Sequence, residues 1–458
     1  MNGFERALSS AAPWLVIIGM CAALIVLLIR FFLEPAAPGV AFAPLLRRLI
    51  DGKPLASESP DDASTANRRL RRRLRKNEWA FHAQVQLILW VICIALLSRL
   101  VILASAMVGC WLNGNLLAFF SDFRGHWVRW DAIGYLSVAN NGYTEANQAY
   151  MVLMPLYPLL TRILSYPLLG NAALAGTIIS NISLVGAGWA LYLLVQERSG
   201  QIAAKKAVQL MMFCPLSVFF SVPYAESLFL FLTLLSILLA RRQKFVAAVC
   251  VGALASFTRL AGLLTMIPIF LEVLKYEASI RLWPRHKGRC VARLAVYSLL
   301  TLLVSAGFFA YLLVNKIALG DPFAFVRVQA DYWNQTFGSL ANTLKYSLET
   351  AFTGNSIEWT LGVWGPQSLA IILAVLLLMK TCVRCDPGDG LYAWLYLSLT
   401  LASTWLLTGP RMILCMYPLY PMLTQVTRRK GLYAFTLVAF TLMMIFCSYM
   451  YAVVGNLL

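Results

Sequence analysis

The chain has 458 residues, 60% of them hydrophobic and 13% charged, with a formal net charge of +18 and a mean hydropathy of +0.72. That balance excludes a soluble domain built round a single core and describes an all-α, polytopic transmembrane protein. Most of the 38 Lys and Arg fall in alternate connections between apolar runs, so the basic excess orients the chain and holds anionic lipid headgroups; it does not mark a nucleic-acid binder.

Runs long enough to cross about 30 Å of hydrocarbon lie near 11–33, 84–108, 171–195, 207–222, 226–240, 244–258, 260–276, 292–316, 366–381, 391–408, 411–427 and 431–455, giving about twelve spans. The first run is long, with Arg6 the only cation ahead of it, and reads as an anchor instead of a signal peptide. The chain therefore divides into an N-terminal anchor (1–33), a basic linker with an amphipathic helix (34–83) and a transmembrane domain (84–458). The linker opens on P-A-A-P-G, continues through S-E-S-P-D-D-A-S-T and ends on R-R-L-R-R-R-L-R-K, the pattern of a mobile segment followed by a lipid-surface helix.

Connections 34–83, 196–206, 241–244, 275–293, 380–390 and 428–430 carry the cations and read as cytoplasmic. Arg124, Arg129, Arg162, Arg259, Lys316, Arg327, Lys345 and Arg411 are left for the other side, along with both termini. Two long outward loops, 109–170 and 317–365, are rich in Trp, Tyr and Phe, as suits interfacial helices. Runs 244–258 and 260–276 are short and separated only by Arg259, which predicts a tight hairpin or one element broken in the middle.

Chemistry concentrates in H-W-V-R-W-D-A-I-G-Y, residues 126–135, where Asp131 stands among aromatic rings and cations outside a long apolar run. Glu226 in S-V-P-Y-A-E-S-L-F is a second candidate, whereas Asp122, Asp321 and Asp331 read as locally paired charges. An Arg between two apolar segments needs an anion, and a planar guanidinium suits a bidentate phosphate contact; Arg259 meets that description, and Arg411 in T-G-P-R-M sits at a span mouth.

Other chemistries find no purchase. His82, His126 and His286 are far apart, six of the ten cysteines fall inside apolar runs, and the C-V-R-C pair at Cys382 and Cys385 has no second pair or flanking His, so neither a metal site nor a disulfide framework is expected. No phosphate loop, dinucleotide fingerprint or G-x-S-x-G elbow occurs, and no cofactor is expected. A lipid or glycolipid transporter shares the hydropathy but calls for paired broken helices in two related halves.

Five segments occur in order: W-D-A-I-G-Y-L-S-V-A-N-N-G-Y at 130–143, M-P-L-Y-P-L-L-T-R at 154–162, C-P-L-S-V-F-F-S-V-P-Y-A-E-S-L-F at 214–229, S-F-T-R-L-A-G at 256–262 and G-D-P-F-A-F-V-R-V-Q-A at 320–330. Together they resemble the PIG-V-like family, the GPI mannosyltransferase II group and its bacterial relatives within the C-type (GT-C) glycosyltransferases, from about residue 85 to 430. The sequence departs from that pattern at Gly134, Leu153 and Met154, where the family favours bulkier or aromatic residues. The resemblance implies a GT-C-like fold and transfer of a sugar, commonly mannose, from a polyprenyl-phosphate donor to a lipid-linked or glycan acceptor on the extracytoplasmic or lumenal face. Another sugar, or a protein acceptor, is the alternative. The lack of a retention signal favours a bacterial cytoplasmic membrane over the ER.

Moving a sugar from a lipid phosphate to a hydroxyl needs a base for the acceptor and cations for the departing phosphate. Asp131 is the expected base of an inverting, metal-independent displacement. Arg259 and Arg411, with Arg129 and His126, are the expected phosphate ligands. Trp127, Trp130, Tyr135, Tyr157, Tyr224 and Glu226 are the expected sugar and acceptor contacts.

Overall fold

A computed structural model describes residues 3–33, 35–36, 40–41, 63–114, 116–279, 287–353, 356–407 and 409–454. Apart from the two-residue antiparallel pair Pro35–Ala36 with Val40–Ala41 and a single bridge between Phe337 and Ser403, these residues are helices and turns. The main helices are α1 (Gly3–Leu33), α2 (Ala63–Leu112), α3 (Asp131–Asn141), α4 (Leu156–Ser165), α5 (Ala172–Met212), α6 (Glu226–Arg241), α7 (Phe245–Thr258) and α8 (Met266–Ser279). They continue as α9 (Ala306–Leu319), α10 (Leu340–Phe352), α11 (Gly365–Thr381), α12 (Pro387–Thr400), α13 (Gly409–Leu414), α14 (Leu419–Val426) and α15 (Lys430–Tyr449).

Six helical stretches among the described residues are long and apolar enough to cross a membrane: Leu8–Arg30, His82–Leu112, Ala172–Met212, Ala292–Leu319, Thr360–Thr381 and Lys430–Val454. The other apolar runs fold as shorter pieces, and proline cuts two of them. Run 207–222 closes α5 and passes into the 3-10 turn Ser217–Phe220, bracketed by Pro215 and Pro223. Run 411–427 is split at Pro418 into α13 and α14.

The helix α5 is a hairpin. Gly200 has φ 79°, and a Cβ placed on Gly188 would lie 2.9 Å from the Met212 side chain. Residues so far apart in sequence would be about 36 Å apart along a straight helix, so the chain reverses at Gly200, where only a residue tolerant of positive φ fits.

The expected anchor is packed into the bundle. α1 lies against α10, α11 and α12, with Trp394 donating to the Met20 carbonyl at 2.9 Å. Arg30 donates to the carbonyls of Cys382 and Cys385 at the end of α11. Half of the linker lies outside the described residues, as does His286; the basic run 68–76 is helical, within α2.

One end of the bundle is tied by ion pairs among connections that the charge pattern assigns to a single side. Arg198 reaches Asp389 at 2.6 Å and Asp386 at 3.2 Å, and Arg241 reaches Asp389 at 3.7 Å; within α8, Lys275 reaches Glu272 at 2.9 Å. Arg241 ends α6, whose first residue is Glu226, so Glu226 lies about 22 Å away along the helix.

Candidate active site

The first residue of α3 is Asp131, and Trp130 before it has φ 52° and ψ −124°. A bulky L residue in that region stores strain on the order of 1–3 kcal/mol. The turn delivers Asp131 to the start of a helix, where the macrodipole favours a carboxylate.

Four charges from four separate segments meet there. Arg411 donates from Nη2 to Asp131 Oδ2 at 2.5 Å. Its Nε lies 3.1 Å from Glu226 Oε1, close enough for an ion pair but not aligned for a hydrogen bond. Arg259 donates to the same Glu226 oxygen at 2.5 Å. The order is therefore Asp131, Arg411, Glu226, Arg259, with Glu226 side-chain exposure at 0% and that of Asp131 at 24%.

Two carboxylates and two guanidinia make the cluster neutral, which is what allows it to be buried. Spare hydrogen-bonding capacity remains at Arg259 and Glu226. Arg259 Nη1 has the Met412 thioether at 3.2 Å, a weak acceptor, and Glu226 Oε2 is buried without a hydrogen-bond partner among the described residues. Asp131 is the most open of the four.

Arg259 owes its place to two glycines. Its own backbone is extended, at the break between α7 and the 3-10 turn Leu260–Thr265. A Cβ on Gly262 would fall 2.3 Å from the Ala255 carbonyl carbon, and one on Gly307 of α9 would fall 2.0 Å from the Ala253 oxygen. Both backbones lie directly on α7, so the chain folds back tightly and Arg259 caps the bend. Of the two arrangements the sequence allowed, the hairpin is the one adopted.

The aromatic residues divide by exposure. Tyr135, Tyr157 and Tyr224 are buried and meet edge to face, Tyr135 lying 5.1 Å from Tyr157 and 6.2 Å from Tyr224 between ring centres. The Tyr157 hydroxyl lies 2.9 Å from both the Gly176 carbonyl and the Ser180 hydroxyl. Tyr224 donates to the Arg129 carbonyl at 2.9 Å, and its ring lies 5.1 Å from the Arg411 guanidinium. These three are the floor beneath the charges. Burial raises the Tyr135 hydroxyl above its ordinary pKa against the pull of Arg259, so it stays a neutral phenol. Trp127 is buried too, while Trp130 is 43% exposed and is the one aromatic of the set open to a sugar face.

Arg129 and His126 stand apart from the charge cluster. Arg129 Nη2 donates to the Ala452 carbonyl at 3.1 Å, and His126 Nδ1 lies 2.7 Å from the same oxygen, so that nitrogen carries the proton. They fasten the first loop to the C-terminal helical segment. Asp122 and Asp321 accept backbone N–H groups of Gly125 and Phe323, and among the described residues neither forms an ion pair with a cation. The departures at Gly134 and Leu153 belong together: a Cβ on Gly134 would sit 2.7 Å from Leu153 Cδ1 and from Tyr150 Cδ1, so these side chains occupy the space that a larger residue 134 would need.

Sequence reasoning passed over three supports. Gln367, fully buried, accepts the Gly409 N–H at 3.0 Å and donates to Ser347 Oγ and the Leu406 carbonyl, which fixes the turn into α13 and hence Arg411. Arg99 donates to the Ser217 carbonyl at 2.9 Å and to Ser221 Oγ at 2.6 Å, holding the turn whose Phe219 ring lies 5.5 Å from Arg411. Tyr451 donates to the Trp127 carbonyl at 3.1 Å. A polar residue inside an apolar run was the available signal for Gln367 and Arg99.

Apolar helices of spanning length, together with a buried carboxylate and arginine cluster whose most open member is Asp131, define an integral membrane protein with a polar cluster inside it. The model of the mannosyltransferase (PIG-V) family matches residues 79–337, and the chain belongs to that family. The match stops short of the expected residue 430, so Arg411 lies beyond it. No curated protein matches the chain. Among solved structures, the chain is similar to the archaeal oligosaccharyltransferase AglB from Archaeoglobus fulgidus, in complex with an inhibitory peptide and a dolichol-phosphate, with 12% identity and a TM-score of 0.39. The alignment covers 80% of this chain and 56% of that one, so the chain spans little more than half of that structure's length.

Proposed function

We propose that the protein transfers a mannosyl group from a polyprenyl-phosphate donor to a hydroxyl of a lipid-linked or glycan acceptor, on the extracytoplasmic face of a bacterial cytoplasmic membrane. Asp131 takes the proton of the acceptor hydroxyl. The acceptor oxygen then forms its bond to the anomeric carbon as the bond from that carbon to the phosphate oxygen breaks, and the electron pair leaves with the polyprenyl phosphate. One displacement inverts the anomeric centre.

The observation that carries this reading is the contact between Asp131 and Arg411. A group able to accept a proton and a cation able to meet a leaving anion are thus supplied at one site. Glu226 holds Arg411 and Arg259 beside one another, and the weakly engaged Nη1 of Arg259 is free to turn toward phosphate. Base catalysis of this kind contributes roughly 10²–10⁴-fold in rate. Trp130 offers a ring for the sugar, and the buried tyrosines act as positioning residues beneath the charges.

Membranes carrying the protein, supplied with radiolabelled polyprenyl-phosphate sugars, test the reading. Label should pass from the mannosyl donor to an acceptor with the opposite anomeric configuration in the product. Retention of configuration, or transfer from a nucleotide sugar in place of the lipid donor, would contradict it.

A further inference from the structure

A second polar feature lies far from the site just described. A cavity of about 370 Å³ is lined by Lys380, Arg384, Arg428, Arg429, Gln425 and Leu432, among others, and by no Asp or Glu. The four cations are exposed. The ion pairs of the neighbouring connections run through Arg198, Arg241 and Lys275, and among the described residues none includes these four. In the same wall Gln425 Oε1 is buried without a hydrogen-bond partner among the described residues. Lys380 closes α11, thirteen residues after Gln367, which binds Gly409 beside Arg411; the cavity is therefore about 20 Å along the helix from the catalytic cluster.

Two apolar stripes lead into it. On α11 the exposed Leu369, Leu373 and Leu376 lie on the helix face that carries Lys380, at spacings of three and four. On α15 the exposed Leu432, Phe435, Val438 and Leu442 repeat the pattern, with Arg428 and Arg429 just before the helix. Cations gathered at the ends of two lipid-facing stripes match a phospholipid in both of its parts, the headgroup in the cavity and the acyl chains along the helices.

We propose that this cavity binds the headgroup of an anionic glycerophospholipid on the side of the membrane opposite the catalytic cluster, the side that the basic connections assign to the cytoplasm. The phosphate lies among Lys380, Arg384, Arg428 and Arg429, and a headgroup hydroxyl donates to Gln425 Oε1. Inorganic phosphate shares the charge but has no use for the stripes, and phosphatidylcholine shares the chains but brings a quaternary ammonium toward four cations.

Native mass spectrometry of the purified full-length protein tests this with phosphatidylglycerol, phosphatidylcholine and inorganic phosphate as probes. Phosphatidylglycerol should be retained at least about tenfold more strongly than phosphatidylcholine, and millimolar phosphate should leave it bound. Replacing Arg384→Gln and Arg428→Gln together should weaken retention about tenfold or more, each cation near a membrane surface contributing about one factor of three to ten, whereas Arg384→Lys with Arg428→Lys should keep most of it. Equal retention of the two lipids, or displacement by phosphate, overturns the proposal on the wild-type protein alone. Retention unchanged in the double Gln variant overturns the placement of the site.

Discussion

Glu226 Oε1 lies 2.5 Å from Nη2 of Arg259, across 33 positions of sequence, and the same oxygen lies 3.1 Å from Nε of Arg411. A single fully buried acid thus sets the spacing of both arginines. Its removal leaves nothing between the two guanidinia, with Asp131 as the remaining carboxylate of the cluster, on Arg411 alone. Breaking a buried pair in this way costs about 3–5 kcal/mol. Glu226→Ala should show a lowered thermal midpoint in detergent, and Glu226→Gln, which keeps the shape, should fold yet use donor poorly. Full stability and normal turnover in both variants would remove Glu226 from the site.

At Arg259, charge and fork geometry can be separated. Arg259→Lys retains the charge but loses the planar fork, so KM for the lipid donor should rise by roughly tenfold or more, with the protein still inserted. An unchanged KM would show that Arg259 does not meet the phosphate.

Gly262 and Gly307 test whether the bend that carries Arg259 matters. An added methyl at either position meets backbone atoms of α7, which cannot yield as a side-chain tip can. Gly262→Ala and Gly307→Ala should each destabilise by about 1–3 kcal/mol and depress donor use with Arg259 itself intact, as read by thermal unfolding and KM together.

Trp130 combines backbone strain with exposure. Glycine accepts φ 52° without penalty, so Trp130→Gly should hold or raise the thermal midpoint. The same change removes the open aromatic face, and KM for the acceptor should rise. A fall in stability with acceptor KM unchanged would reverse the assignment.

Gln367 supports Arg411 from beneath. Gln367→Leu leaves the Gly409 N–H and the Leu406 carbonyl unpaired in the interior, at a cost of about 1–3 kcal/mol. Turnover should fall, and Gln367→Glu, which keeps the acceptor oxygen for Gly409, should restore part of it.

Much of this arrangement is legible in the sequence. Apolar length and the placement of Lys and Arg specify a membrane bundle, and the ion pairs of Arg198 and Arg241 do gather connections that the charge pattern put on one side. Asp131, Glu226, Arg259 and Arg411 stand out because a charge near an apolar run must be hydrated, paired or used. Which charge pairs with which is not legible, since the partners come from segments as distant as α3 and α13. The hairpin at Gly200 is hidden for a related reason: apolar periodicity continues through the reversal, and only contacts between its legs expose it. Tyr135, Tyr157 and Tyr224 read equally well as sugar contacts or as packing until their burial is known. Gln367 and Arg99 needed only a stricter reading of polar residues inside apolar runs.

The most direct measurement is the single-turnover rate of sugar transfer by Asp131→Asn in membranes where insertion and thermal stability match the parent protein. Asparagine keeps the shape and can still accept from Arg411, but it takes no proton. The rate should fall by about 10²–10⁴-fold with donor binding largely retained; a rate within a few-fold of the parent would contradict Asp131 as the base.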